Sequence, residues 1–129
     1  MYRDRPVFHG LGNFVTVTRA LTVEANASPA RLAWAKRRTA LFGFEPLRDY
    51  PTYPFHPEAR NAMIAVCDVE AGGVARAGFL PCWIHPSGQP EPLAEDSRGL
   101  EVAGYIEDIT RRAGLRASFR REDGIVWFA

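Results

Sequence analysis

Proline sets the tightest limits on what this chain can fold into. Of its ten prolines, four fall at 46, 51, 54 and 57 and three at 86, 90 and 92. Proline fixes its own φ and has no N–H to donate, so neither stretch can run through the interior of a helix or a central strand. Long regular elements must therefore lie between these stretches.

The first interval opens on Ser28-Pro29, an N-cap followed by proline at the first helical position, and closes on Gly43, a left-handed cap. A helix is expected from there to Phe42. Leu32, Ala35 and Phe42 fall near one stripe, with Trp34 and Leu41 flanking it, whereas Arg31, Lys36, Arg37 and Arg38 mostly face away. Those four cations read either as a patch for phosphate or acidic glycan or as a solvated face.

The second interval holds Asn61–Glu70 and Val74–Trp83 around Ala71-Gly72-Gly73, which predicts a β-hairpin. With Gly72 and Gly73 as loop residues, Cys67 faces Gly78 and Cys82 faces residues 61–63. The thiols then lie about four residues, or ~13 Å, apart. A disulfide requires Cα atoms within about 7 Å, so none is expected.

In the third interval Asp96 or Ser97 caps a helix to about Ala113, stopped by Gly114, with Val102, Ile106, Ile109 and Ala113 on the packed face. Arg116–Arg121 and Ile125–Phe128 around Asp123-Gly124 predict a second hairpin. Ahead of all this, Pro6–Val17 reads as extended, a strand with Gly10 and Gly12 marking a bulge or close backbone approach. The proline-rich 44–57 segment, carrying Phe44, Tyr50, Tyr53, Phe55 and His56, reads as a strap over the core or as the lining of a cleft. Ile84–Glu95 reads as a loop. The expected architecture is a single mixed α/β domain over residues 1–129, α+β-like, with two helices on a partly antiparallel sheet.

Charge and chemistry narrow the function classes. Sixteen basic residues oppose fifteen acidic ones, a net charge of +1 that provides no long-range field for nucleic acid or anionic lipid. The longest uncharged apolar run, Ala62–Cys67, is far short of the ~20 residues of a membrane span. Met1-Tyr2-Arg3-Asp4-Arg5-Pro6 has no apolar signal core, so the expected compartment is the cytoplasm. His9, His56 and His85 belong to no ligand-spaced motif, and no nucleophile elbow, P-loop or dinucleotide fingerprint occurs. Cys82 and His85, three apart on one strand, point to opposite faces, which favours a structural thiol. No catalytic or metal residue and no cofactor is expected in this chain.

One segment carries a family resemblance. Pro6-Val7-Phe8-His9-Gly10-Leu11-Gly12-Asn13-Phe14 resembles the P-I-F-Y-S-L-G-N-F segment of the bacterial capsule-synthesis (CapA, poly-γ-glutamate synthesis) family. Weaker similarity continues through Gly78-Phe79-Leu80-Pro81-Cys82 and the helix near Arg98–Ala113, so that roughly the whole chain lies along the C-terminal third of that family. His9 and Gly10 stand where many members have Tyr and Ser, and Asp4 stands where a Gly often precedes the basic residue and proline.

The resemblance implies a calcineurin-like, metallophosphatase-type αββα fold and a role in capsule or polyglutamate production. The family's G-D, N-x-E or N-H-type and G-H-x-H-like motifs lie before the L-G-N-F strand and do not occur between Met1 and Ala129. The implied chain is thus a C-terminal fragment or separate domain, inactive alone. Its divalent metal would belong to a full-length parent, which could be membrane-associated.

His9, Gly12 and Asn13 then read as a wall of the parent's substrate cleft. In the other reading, the glycines allow tight strand packing and Asn13 satisfies a turn. The expected partner is the upstream segment of the parent or a second copy, with self-association through the 6–17 strand. The alternative function is a free-standing binding or accessory module that pairs with a partner chain through a sheet edge.

Overall fold

A computed structural model describes residues 6–9, 12, 16–19, 22–24, 26–93 and 96–129. Two compact units are distinguished. One comprises Asn61–Trp83 and Pro90–Ala129 with the described residues up to 12; the other comprises the described residues of Val15–Arg60 with Ile84–Gln89.

The first unit is built on a five-stranded antiparallel sheet. Strands β1 (Asn61–Glu70), β2 (Gly73–Ile84), β4 (Phe119–Glu122) and β5 (Ile125–Phe128) run in the order β1-β2-β5-β4, and the short β3 (Pro90–Pro92) also pairs with β2. The expected hairpins form. In the second, Asp123 and Gly124 both take positive φ, 50° and 75°, as a two-residue type I′ turn requires. In the first, the register differs by a step. Glu70 pairs with Gly73, which leaves Ala71-Gly72 as the loop, and a bulge follows Asp68. Cys67 therefore faces Ala77, and Cys82 faces Ala62. The two thiols lie five residues apart along β1 and on opposite faces, and both are free.

Strand β3 was expected to be loop. Its two prolines disguise it, but proline is tolerated where its missing N–H is not needed by the ladder. Leu93, just beyond, does donate, from its N–H to the Pro81 carbonyl at 2.9 Å. The expected strand over 6–17 is corrected in part. Residues 6–9, 12, 16 and 17 belong to no strand, and the remainder of that segment lies outside the described residues.

Helix α2 (Ser97–Arg112) begins at Asp96, whose carboxylate accepts the Arg98 N–H at 2.7 Å. Its buried face is Gly99, Val102, Ala103 and Ile106, turned from the expected one; Ile109 and Ala113 are exposed. The reason is reach: the core partners, Phe79 of β2 and Val126 of β5, cluster with Ala103 and Ile106 in the first part of the helix. At Gly99 a Cβ would strike the Leu93 carbonyl, so only glycine allows the first turn to settle there. Phe79, Val102 and Val126 are each fully buried, worth roughly 1.5–3 kcal/mol apiece.

The second unit holds helix α1 (Pro29–Phe42), the proline-rich strap and a 3-10 turn at Pro57–Arg60. Ser28 accepts the Arg31 N–H, and Gly43, at φ 74°, closes the helix onto the Thr39 carbonyl. The strap is tied down along its length. Thr18 N–H donates to the Thr52 carbonyl, the Thr22 hydroxyl to Pro51, the Thr52 hydroxyl to Pro86 and the Tyr53 hydroxyl to Ala59. Tyr50 and Pro54 are buried, and Tyr53 packs edge-on against Phe55.

The expected burial of α1 holds for half-buried Trp34 and Ala35 and for exposed Lys36 and Arg37, and fails elsewhere. Leu32, Leu41 and Phe42 are exposed, and the helix's one buried residue is Arg38. Its neighbours include flat rings, Trp34 one turn back and Phe44 just past the cap, whose faces attract a guanidinium. No helix among the described residues is long and apolar enough to cross a membrane.

Candidate functional site

Of the three residues expected to line a substrate cleft, His9 and Gly12 are exposed, Gly12 with φ 66°, and Asn13 lies outside the described residues. The other two histidines are engaged locally. His56 Nδ1 accepts the Glu58 N–H at 3.2 Å while its ring stands edge-on to Phe44. His85 Nδ1 accepts the Ser87 N–H at 3.3 Å, in a turn where the Ser87 hydroxyl reaches Gln89. Cys82 is fully buried on β2 with its thiol against the Leu80 carbonyl. Burial pushes that thiol's pKa up, and a backbone hydrogen bond from Ile64 offsets only part of the rise. A thiol held protonated is a poor nucleophile, as expected of a structural cysteine. Among the described residues no three or more His, Cys, Asp or Glu side chains are grouped to hold a metal.

Charge in the sheet unit is closely compensated. Arg76 of β2 pairs with its cross-strand partner Asp68 and with Glu122 of β4 at 2.7 Å, while its guanidinium lies 3.9 Å over the Trp127 ring. Trp127 faces Gly78, where a Cβ would run into the Val126 carbonyl and the indole. Glycine there lets the ring lie against the backbone, and Arg76 roofs it. Arg98 is gripped by Glu91 at 3.1 Å and Asp96 at 3.0 Å, which raises its pKa further and holds the Asp96 carboxyl below its ordinary range. Arg121 pairs with Glu107 at 2.8 Å and Arg112 with Asp108 at 2.5 Å. A cleft of about 460 Å³ lies between the start of α2 and the β4–β5 turn, walled by Leu93, Gly99, Ala103, Gly124 and Val126. It has the character of a small apolar recess beside a helix start.

The helical unit contains the contrasting arrangement. A groove of about 980 Å³ runs between α1 and the strap, lined by Leu32, Leu47 and Pro51 and by Lys36, Arg38 and Arg48, with Glu45 as its carboxylate. Arg38 is 6% exposed, and its Nε and Nη1 have no hydrogen-bond acceptor among the described residues. Its centre lies 5.9 Å over the Trp34 ring and 5.6 Å over Phe44. Arg38 was expected to face outward, in a patch for phosphate or acidic glycan or on a solvated face. The signal passed over was the aromatic pair itself, Trp34 at i−4 and Phe44 at i+6, which can hold a guanidinium as readily as a hydrophobe.

No family model, no curated protein and no solved structure matches this chain.

Proposed function

We propose that this chain is the C-terminal part of a CapA-like protein of metallophosphatase-type fold, serving capsule or poly-γ-glutamate biosynthesis and carrying no catalytic centre of its own. The observation that carries the reading is the Pro6–Phe14 segment with its L-G-N-F core. The weaker similarity of Gly78-Phe79-Leu80-Pro81-Cys82 and of the sequence near Arg98–Ala113 supports the same reading. In this reading His9, Gly12 and Asn13 contribute to a cleft whose metal ligands come from upstream sequence, and the divalent metal belongs to the assembled parent. The test is co-expression with an upstream segment bearing the G-D and G-H-x-H-like motifs, encoded next to this chain, followed by metal analysis. A stable complex that retains manganese or zinc supports the reading; an upstream region without those motifs, or a segment that never associates, removes it.

A second reading rests on β1. This ten-residue strand is the sheet's edge, hydrogen-bonded among the described residues to β2 alone, and its first seven residues are uncharged. An edge of that length is a template for strand addition, which suits an accessory module that binds a partner chain. A discrete complex with an unrelated partner, formed through β1 without any upstream segment, favours this alternative.

A further inference from the structure

We infer that the groove between α1 and the strap is a binding site for an organic oxyanion, a carboxylate or phosphate with an apolar body, seated on the buried guanidinium of Arg38. An arginine in a protein cannot lose its charge, and a buried charge without a partner is costly. The guanidinium carbon lies 5.9 Å over the Trp34 ring and 5.6 Å over Phe44, and both ring faces attract the cation. An aromatic face is a far weaker acceptor of N–H groups than a carboxylate or phosphate oxygen. Nε and Nη1 are closed off from solvent and without acceptors among the described residues, so a ligand oxygen reaches them only as the side chains covering them give way. Planar guanidinium hydrogen bonding to carboxylate or phosphate is the interaction that best meets this demand.

The surroundings agree. Arg76, Arg98, Arg112 and Arg121 of the sheet unit each have a carboxylate beside them, and Arg38 has none among the described residues. Lys36 and Arg48 add two cations to the same lining against the one carboxylate of Glu45. The groove is far larger than an inorganic ion needs, and Leu32, Leu47 and Pro51 offer apolar wall to the rest of a ligand. None of this depends on the family reading, and its failure would leave that reading standing.

The test uses the full chain, titrated calorimetrically at constant ionic strength with phenyl phosphate, inorganic phosphate, phenylacetate and acetate. Saturable binding is expected, tighter for the ring-bearing member of each pair, and the two pairs separate phosphate from carboxylate preference. Arg38→Met should weaken binding at least roughly tenfold while melting no lower than wild type without ligand, because it removes an uncompensated buried charge. Should that variant misfold, Arg38→Lys serves instead, keeping the charge and losing the planar fork. Glu45→Gln should bind more tightly. Equal affinity in wild type and the Arg38 variants, or no binding at millimolar ligand, overturns the proposal. So does a Glu45→Gln variant that loses stability without ligand, since Glu45 would then be the counter-ion of Arg38.

Discussion

Gly78 and Trp127 show how much of this structure depends on one missing side chain. The two residues are partners across β2 and β5, and the indole occupies the space a Cβ at 78 would take. Because the obstructing atoms include the Val126 carbonyl, the backbone must move to accept even a methyl group. Gly78→Ala should therefore destabilise the fold by about 1–3 kcal/mol, read from the urea midpoint, while Gly72→Ala at the open hairpin loop should cost far less. The two cysteines differ in the same local way. Cys67 is exposed and Cys82 is buried with a raised pKa, so a maleimide should label Cys67 alone in the native protein and both thiols in denaturant. Equal labelling rates in native buffer would contradict the placement of β2. A thiol whose folded pKa lies above its unfolded value contributes stability in full below the ordinary thiol range and loses it as the pH rises from that range through the raised value, so Cys82→Ala should flatten the alkaline limb of the stability curve.

At the scale of elements, α2 and the sheet form one packed body with Phe79 at its centre. Phe79→Ala should cost about 3–5 kcal/mol, a large share of the ~5–15 kcal/mol of an ordinary domain, read as a lowered urea midpoint. The start of α2 is electrostatic. Asp96 caps the helix and accepts from Arg98, which also grips Glu91. Its depressed pKa means that the stabilisation is present above the ordinary carboxylate range and fades as the pH falls through the lowered value. Asp96→Asn keeps a good cap but loses the charge. Thermal melts between neutral and strongly acid pH should show a shallower acid decline for this variant, and identical slopes would show that the Arg98 pair contributes nothing measurable.

For the whole molecule, the main question is what completes the sheet. The expected edge at 6–17 is replaced, among the described residues, by β1, whose ten residues pair on one side with β2. Self-association is accordingly expected through β1, and Met63, 44% exposed near its start, is the place to test it. Met63→Lys should lower the apparent mass in sedimentation at micromolar concentration with little change in stability, since charged residues on edge strands oppose pairing. A wild type that is already monomeric there would count against strand addition of either kind. Metal analysis of the purified chain should find no zinc or manganese surviving dialysis, because the described histidines and carboxylates are dispersed and His56 and His85 already use Nδ1 locally.

What the sequence determined by itself is what short-range chemistry dictates. Ser28-Pro29 and Gly43 bound α1, Asp96 starts α2, Asp-Gly forces the second turn, and Ala71-Gly72-Gly73 marks the first hairpin; each signal acts within a few residues through φ preference or a capping hydrogen bond. The tertiary structure alone decided which faces are buried and which strand neighbours which. Arg38 is buried and Leu32 exposed against expectation; Trp34 and Phe44 lie close in sequence, but that Arg38 rather than Leu32 is covered is set by the fold around α1. The buried face of α2 turned toward Gly99 and Ala103 because Leu93, Phe79 and Val126, distant in sequence, stand there. The Arg76 cluster draws on three strands and β3 on a partner that neighbouring residues do not specify. The candidate anion site belongs to this second kind: a buried guanidinium without an acceptor is defined only by everything folded around it.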